Sequence, residues 1–300
     1  MNKNSNLFVL IFLGILWSTF ALFTKISSEN LSPFFVAFAR LAIGGALIYA
    51  VALFQKKKVF VRKNLPHYFL IGFFNSALPF TLFAFSAKAL DSGVVSILDG
   101  CVPMFEVLIS ILILRRHVDK SAIIGVILGV VGVVITSSAG GVNLELTWAH
   151  IASVIAIMIA CASYASASLY INAKCKHIDS MTLATGSVLA AALILSPSIF
   201  ITNFAVINFE VASSLLGLGL LCTGIAYIFY FKLAAEESPR TAVSVVLLIP
   251  VFGTIFGAIF LHEIITLTKI IGCITILASM KFILNLSRQN FFKSKNAPIV

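Results

Sequence analysis

Ten apolar runs divide the chain, at roughly 7–26, 34–55, 66–87, 93–114, 120–138, 148–171, 180–202, 211–232, 240–261 and 267–286. Each is about 18–23 residues long, the length of helix that crosses a hydrocarbon core about 30 Å thick. The pattern predicts an all-α integral membrane protein with ten transmembrane helices and no soluble domain. The connections are short. The longest are a basic stretch at 55–65 and a polar one at 139–147, where Gly140-Gly141-Val142-Asn143 precedes Glu145. Such a glycine-bearing polar stretch is a natural joint. It separates halves 1–140 and 145–287, with 288–300 left as a polar, basic tail.

The second half repeats the first. Residues 93–138 align with 240–285 without a gap, setting Pro103 on Pro250, Phe105 on Phe252, Leu114 on Leu261 and Ile123-Ile124-Gly125 on Ile270-Ile271-Gly272. At the same offset Asn75, Ser76, Phe80 and Phe83 face Cys222, Thr223, Tyr227 and Tyr230, while Trp17-Ser18-Thr19-Phe20 corresponds to Cys161-Ala162-Ser163-Tyr164. Each copy holds five runs. Because five is odd, tandem copies enter the membrane in opposite senses, giving inverted repeats, an architecture common among secondary transporters.

Charge sharpens this picture. The 300 residues are 60% hydrophobic and 11% charged, against about 25% charged in a soluble domain. Of 21 lysines and arginines, seventeen fall in segments that are cytoplasmic if the N-terminus is inside, among them Lys3, Lys56, Lys57, Lys58, Arg62, Lys63, Arg115, Arg116, Lys232, Arg240 and Lys281. Only Lys25, Lys88 and Lys269 fall outside, and Arg40 lies within a helix. This bias predicts both termini in the cytoplasm of an inner, plasma-membrane protein. The net charge of +10 is thereby explained without nucleic acid, since the basic loops are short and lack interleaved aromatics. The first run is too long for the apolar region of a signal peptide and is read as an uncleaved helix. The five cysteines form no C-x-x-C pair, so neither a disulfide framework nor a metal site is expected. Glycine faces at Gly125, Gly129 and Gly132, and at Gly253 and Gly257, allow close helix approach, either within the chain or in a dimer; monomer and homodimer both stay open.

The candidate chemistry lies within the membrane. Ser92, Ser96, Asp99, Pro103, Glu106 and Ser110 fall on one side of helix four. A polar stripe in an apolar segment must face protein or water, and Pro103 invites a kink. At 1.5 Å per residue, Asp99 lies about 10 Å and Glu106 about 20 Å from the outer end. Arg40 in helix two lies as deep as Asp99. An intramembrane charge costs roughly 2.5–3.5 kcal/mol, so a partner is expected. Asp99 with Arg40 is the obvious pair, as a structural tie or with one member meeting a charged substrate. Glu106 has Lys281 as its possible partner, or is a hydrogen-bonded structural acid; left unpaired, it is a candidate proton carrier. Lys25, Lys88 and Lys269 are expected to snorkel, and His67 and His150 to be interfacial. His262-Glu263 lacks the second histidine of a zinc protease motif, position 266 being Thr266. Trp17, Phe20, Phe83, Tyr164, Tyr227 and Tyr230 are either helix packing or the wall of a cavity for an apolar or cationic group.

These residues, in this order, resemble the drug/metabolite transporter superfamily, EamA type. The similarity rests on Trp17-Ser18, Arg40 in the family's helix-two "aRf" position, Ala87-to-Pro103 and its copy Ala234-to-Pro250, and Leu261-His262-Glu263 ahead of Ile271-Gly272. The resemblance implies inner-membrane transport of small metabolites, often export of amino acids or related compounds. It also implies a central cavity among helices one, three, four, six, eight and nine. The chain departs from the pattern where Arg116 replaces the first-copy acid. Asp99 and Glu106 are not general family features, their second-copy counterparts being Val246 and Gly253.

The expectation is a secondary transporter and not an enzyme. It works by alternating access on a small organic metabolite, amino-acid-like or cationic, as an exporter with or without proton coupling through Glu106. The substrate site would use Trp17, Arg40, Asn75, Phe83, Asp99, Glu106, Tyr164, Tyr227 and Tyr230. No cofactor is called for, and the partners are the small-molecule substrate and the bilayer. Uptake or exchange of a larger, nucleoside-like or S-adenosylmethionine-like metabolite is the alternative. A membrane enzyme would need a nucleophile-and-base or metal constellation, and a scaffold would need long loops or a soluble module; the sequence offers neither.

Overall fold

The computed structural model describes residues 3–115, 117–138, 147–230 and 244–290. Arg116, the 139–146 joint with Gly140, Gly141, Val142, Asn143 and Glu145, residues 231–243 with Lys232, Ala234 and Arg240, and the tail from 291 lie outside the described residues. Among the described residues all regular structure is helical. Eight helices are long and apolar enough to cross a membrane: α1 (Phe8–Asn30), α2 (Pro33–Phe54), α3 (Arg62–Ser86), α4 (Ser92–Leu112), α5 (Lys120–Ser137), α6 (Trp148–Lys174), α7 (Ser180–Ile201) and α8 (Phe209–Tyr230). A shorter apolar helix, α9 (Val245–Phe260), and the helix α10 (Leu267–Asn290) follow. The chain enters α2, α4, α5, α6, α7 and α8 on Ser32, Asp91, Asp119, Thr147, Asp179 and Asn208. These residue types suit a helix start because a side-chain oxygen can take an unpaired backbone N–H. Thr147, Asp179 and Asn208 do so, accepting from His150, Thr182 and Val211.

Several helices expected to be continuous are interrupted. In α1 the break falls at Thr19, where Ser18 Oγ bonds the Gly14 carbonyl and Thr19 Oγ1 the Leu16 carbonyl. Hydroxyls that compete for backbone carbonyls in this way loosen and bend a helix. In α3 a π turn at Phe73–Ala77 precedes Pro79. Proline offers no N–H to the preceding turn, so a widened turn absorbs the mismatch. In α4 the helix stops at Asp99 and restarts at Val102, with Pro103 in the first turn of the new segment; this is the kink that Pro103 predicts. The second half answers in kind. A π segment occupies Gly217–Ile225 in α8, and a 3₁₀ stretch at Ser244–Leu248 precedes Pro250 in α9. Arg115 and His262, which fall opposite each other in the repeat, both take a left-handed backbone, with φ of 49° and 55°.

Packing uses the small residues the sequence displays. Gly125 and Gly132 receive Ile283 and Ile276 of α10, and Gly129 receives Met104 of α4. Ser279 Oγ donates to the Gly125 carbonyl at 2.6 Å. On α9, Gly253 and Gly257 face Ser96 and Ser92 of α4. The glycine faces are therefore occupied within one chain. The opposite side of α5 is apolar and open, Ile127 being 57% and Val134 65% exposed, as befits a surface turned to lipid. The main core joins α1, α2, α3, α4, α6, α8, α9 and α10 around Phe20, Phe83, Leu98, Ile157 and Leu218.

Candidate functional site

Arg40 defines the central layer. It is 7% exposed, with its guanidinium carbon 3.7 Å from the centre of the Phe80 ring and 6.0 Å from that of Phe20. Its Nε donates to Thr223 Oγ1 at 2.9 Å. The π segment of α8 builds this acceptor, for Thr223 Oγ1 itself donates to the Leu218 carbonyl five residues back, at 3.1 Å. A desolvated cation–π contact contributes about 2 kcal/mol and a hydrogen bond to a charge about 1.5–3 kcal/mol. Together they are enough to offset the roughly 2.5–3.5 kcal/mol that an intramembrane charge costs.

That balance corrects the expected pairing. Arg40 and Asp99 make no salt bridge; among the described residues the salt bridges are Lys57–Asp179 and Lys269–Asp91. The two charges share a layer and act on each other at longer range. Tyr164 stands within reach of both, and Tyr227 within reach of Arg40 and Tyr164. Asp99 is half-buried at the break of α4 and takes no hydrogen bond among the described residues. The thiol of Cys161 in α6 points to the Leu98 and Asp99 carbonyls at the break, at 3.5 and 3.9 Å.

A second layer surrounds Glu106. Ser168 of α6 gives it a hydrogen-bonding group, and Tyr230 lies nearby. Lys281 is exposed and makes no salt bridge with it; its long stem takes the amine to the surface. Trp17 packs on Tyr230 at 5.3 Å between ring centres. The structure thus gathers Trp17, Arg40, Asp99, Glu106, Tyr164, Tyr227 and Tyr230 from α1, α2, α4, α6 and α8. Two expected members stand apart. Phe83 is fully buried between Phe20 and Tyr164, at 5.5 and 6.1 Å, so it supports the Tyr164 ring from behind. Asn75 is half-buried in the π turn of α3 and takes no hydrogen bond with the cluster.

Sequence reasoning passed over Phe80 and Thr223 as site residues, although both stood in the repeat alignment opposite Tyr227 and Ser76. It also misread Lys269, which is 2% exposed and does not snorkel. Its Nζ binds Asp91 Oδ2 at 2.6 Å and the Ile264 carbonyl at 2.8 Å. Beside it Glu263 accepts the backbone N–H groups of Ser92 and Gly93 at the start of α4. Lys25 donates to the Leu90 carbonyl at 3.1 Å. The histidines are tied at helix ends, His67 to the Tyr170 hydroxyl and His150 to the Ser137 carbonyl. Among the described residues no group of three His, Cys, Asp or Glu side chains is placed to hold a metal.

Known proteins are similar to this chain. The profile of the EamA-like transporter family matches residues 4–138 and again 151–285. The uncharacterized transporter YvbV of Bacillus subtilis (strain 168) is 27% identical over 284 residues, 93% of this chain and 91% of its own. The uncharacterized transporter YoaV of the same organism is 23% identical over 87% of this chain and 90% of its own, and an uncharacterized transporter of Archaeoglobus fulgidus is 26% identical over 83% and 87%. A solved crystal structure, 18% identical, superposes with a TM-score of 0.66 over 96% of this chain and 100% of its own; at that identity it speaks for the fold alone. The chain belongs to the EamA-like transporter family of the drug/metabolite transporter superfamily, and is a multi-pass membrane transporter and not an enzyme.

Proposed function

We propose that this transporter moves a small organic metabolite, amino-acid-like or cationic, across the inner membrane by alternating access. The observation that carries the reading is the unpaired state of the central charges. Phe80 and Thr223 hold Arg40 by its face and its Nε, and its remaining N–H groups take no hydrogen bond among the described residues. Asp99 acts on Arg40 at longer range and takes no hydrogen bond among the described residues. A molecule with a carboxylate and an ammonium group fits between a fork of N–H donors and a carboxylate, with Tyr164 and Tyr227 as walls. Two inverted five-helix halves with cytoplasmic termini are the scaffold of this reading. It is supported by the double match of the family profile, by the paired π segments and by the paired left-handed residues. Export and coupling to protons through Glu106 complete it.

The test is counterflow of a labelled metabolite panel in proteoliposomes, with and without a pH gradient. Wild type is expected to carry amino-acid-like or cationic compounds. Arg40→Gln should lose carboxylate-bearing ones, and Asp99→Asn should lose those with an ammonium group. Equal loss of neutral compounds in both variants would remove the charge-reading role.

A further inference from the structure

α4 and α9 meet at the end of the molecule that the charge distribution assigns to the outside, and their seam sets hydroxyls against glycines. Ser96 Oγ sits where a Cβ on Gly253 would have to go, and a Cβ on Gly257 would fall 2.5 Å from Ser92 Oγ. Gly93 lies against Thr254, a Cβ there being 3.3 Å from its Cα. Ser92 and Ser96 are both 0% exposed, and neither hydroxyl has a hydrogen-bond partner. Buried hydroxyls nearly always find a partner, because an unmade hydrogen bond costs stability. Two orphans on one seam have a use if another arrangement of the helices lets water or a ligand reach them.

The seam is fastened at its end. Glu263 Oε1 accepts the Ser92 N–H at 2.6 Å, and Oε2 accepts the Gly93 N–H at 3.0 Å. These N–H groups open the half-helix Ser92–Asp99 and have no carbonyl of their own helix to bind. Bonds of this kind to an ionised carboxylate are short and strong. The Lys269–Asp91 pair lies alongside. Beyond the seam, Asp99 follows Ser96 by three residues on the same face of the helix.

We propose that Ser92 and Ser96 form the outer arm of the substrate path, sealed in this structure by the glycine face of α9 and latched by Glu263. Release of the latch parts α4 from α9, and the two hydroxyls then line the way between Asp99 and the outside. Hydroxyls donate and accept, which suits the polar groups of the metabolite class proposed above. The inference rests on that transport reading and on the charge-based orientation.

Thiol accessibility tests it without a known substrate. Ser96→Cys is placed in a chain whose five native cysteines are replaced by alanine, and intact cells are treated with a membrane-impermeant thiosulfonate. With Glu263 present, the introduced thiol is expected to react slowly. Glu263→Gln should raise the rate about tenfold or more, the population shift expected when a charge-assisted bond is weakened. Gly253→Ala, whose methyl cannot share the seam with residue 96, should raise it as well; this second variant guards against misfolding of the first, and each is read only from material that is monodisperse in detergent. A fast thiol in the parent, or a slow one in both folded variants, overturns the proposal. Reaction confined to inside-out vesicles keeps the latch and overturns the orientation. A released latch with no flux of any metabolite strikes the transport reading instead, and flux with a thiol that never reacts strikes the latch.

Discussion

Thr223 is the residue on which the aim of Arg40 depends. Thr223→Val removes the acceptor of the 2.9 Å bond with little change of shape. Loss of a hydrogen bond to a charge, about 1.5–3 kcal/mol, corresponds to a rise of about 10–100-fold in KM for a carboxylate-bearing substrate. Thr223→Ser should restore most of the affinity, and counterflow kinetics on the first active compound of the panel would check both. Glu106 gives a separate outcome. If it carries the coupling proton, Glu106→Gln should abolish flux driven by a pH gradient while exchange without a gradient continues; unchanged gradient-driven flux would end that role. At this scale the partners of the charged side chains were not legible in the sequence. A rise of 1.5 Å per residue sets Asp99 and Arg40 level. Whether a guanidinium then chooses a carboxylate or an aromatic face depends on helix–helix distances that no single helix encodes. Lys269 was opaque for the same reason, since its partner Asp91 sits in a turn 178 residues away.

At the scale of the element, the interruptions matter more than the helices. Pro103 announced the break in α4. Pro79 stands just after the π turn in α3, but the counterpart of that turn in α8 holds no proline and lies among glycines that admit Ile43, Leu47 and Phe23. Only close packing against α1 and α2 reveals that segment. The α5–α10 contact has an equally local test. A Cβ on Gly132 would fall 2.5 Å from Ile276 Cγ1 and 3.2 Å from the backbone nitrogen of Ile276, and backbone cannot step aside. Gly132→Val should therefore destabilise by about 1–3 kcal/mol, the usual cost of overpacking, read as a lower unfolding midpoint in detergent. Ile127→Val on the open face of the same helix is the control, expected to leave the midpoint unchanged.

At the scale of the molecule, a polar tie links the loop after α2 to the start of α7. Lys57 Nζ binds Asp179 Oδ1 at 2.7 Å. Burial raises the Asp179 pKa, but the bonds from Lys57 and from the Thr182 N–H and hydroxyl outweigh it and hold the group below its ordinary 3.8. A carboxylate depressed in this way stabilises the fold above its unfolded value, and that contribution is lost as pH falls through the lower folded one. Both side chains are more than a third exposed, so the ion pair itself adds little; the helix cap adds about 0.5–2 kcal/mol. Asp179→Ala should lower the midpoint near neutral pH and have a smaller effect in acid below the folded pKa, as thermal unfolding across a pH series would measure.

The matched π segments of α3 and α8 also set a rule for recombining this protein. Each segment holds one more residue per turn than the α-helix around it. A chimaera that exchanges helix pieces between the two halves must cut on the same side of both segments. A crossover that keeps one π turn and drops the other displaces the rest of the helix by one residue, a rotation of about 100°. In α8 that turn would swing Tyr227 and Tyr230 away from Arg40 and Trp17, leaving a chain with every helix in place and these aromatic side chains facing another direction.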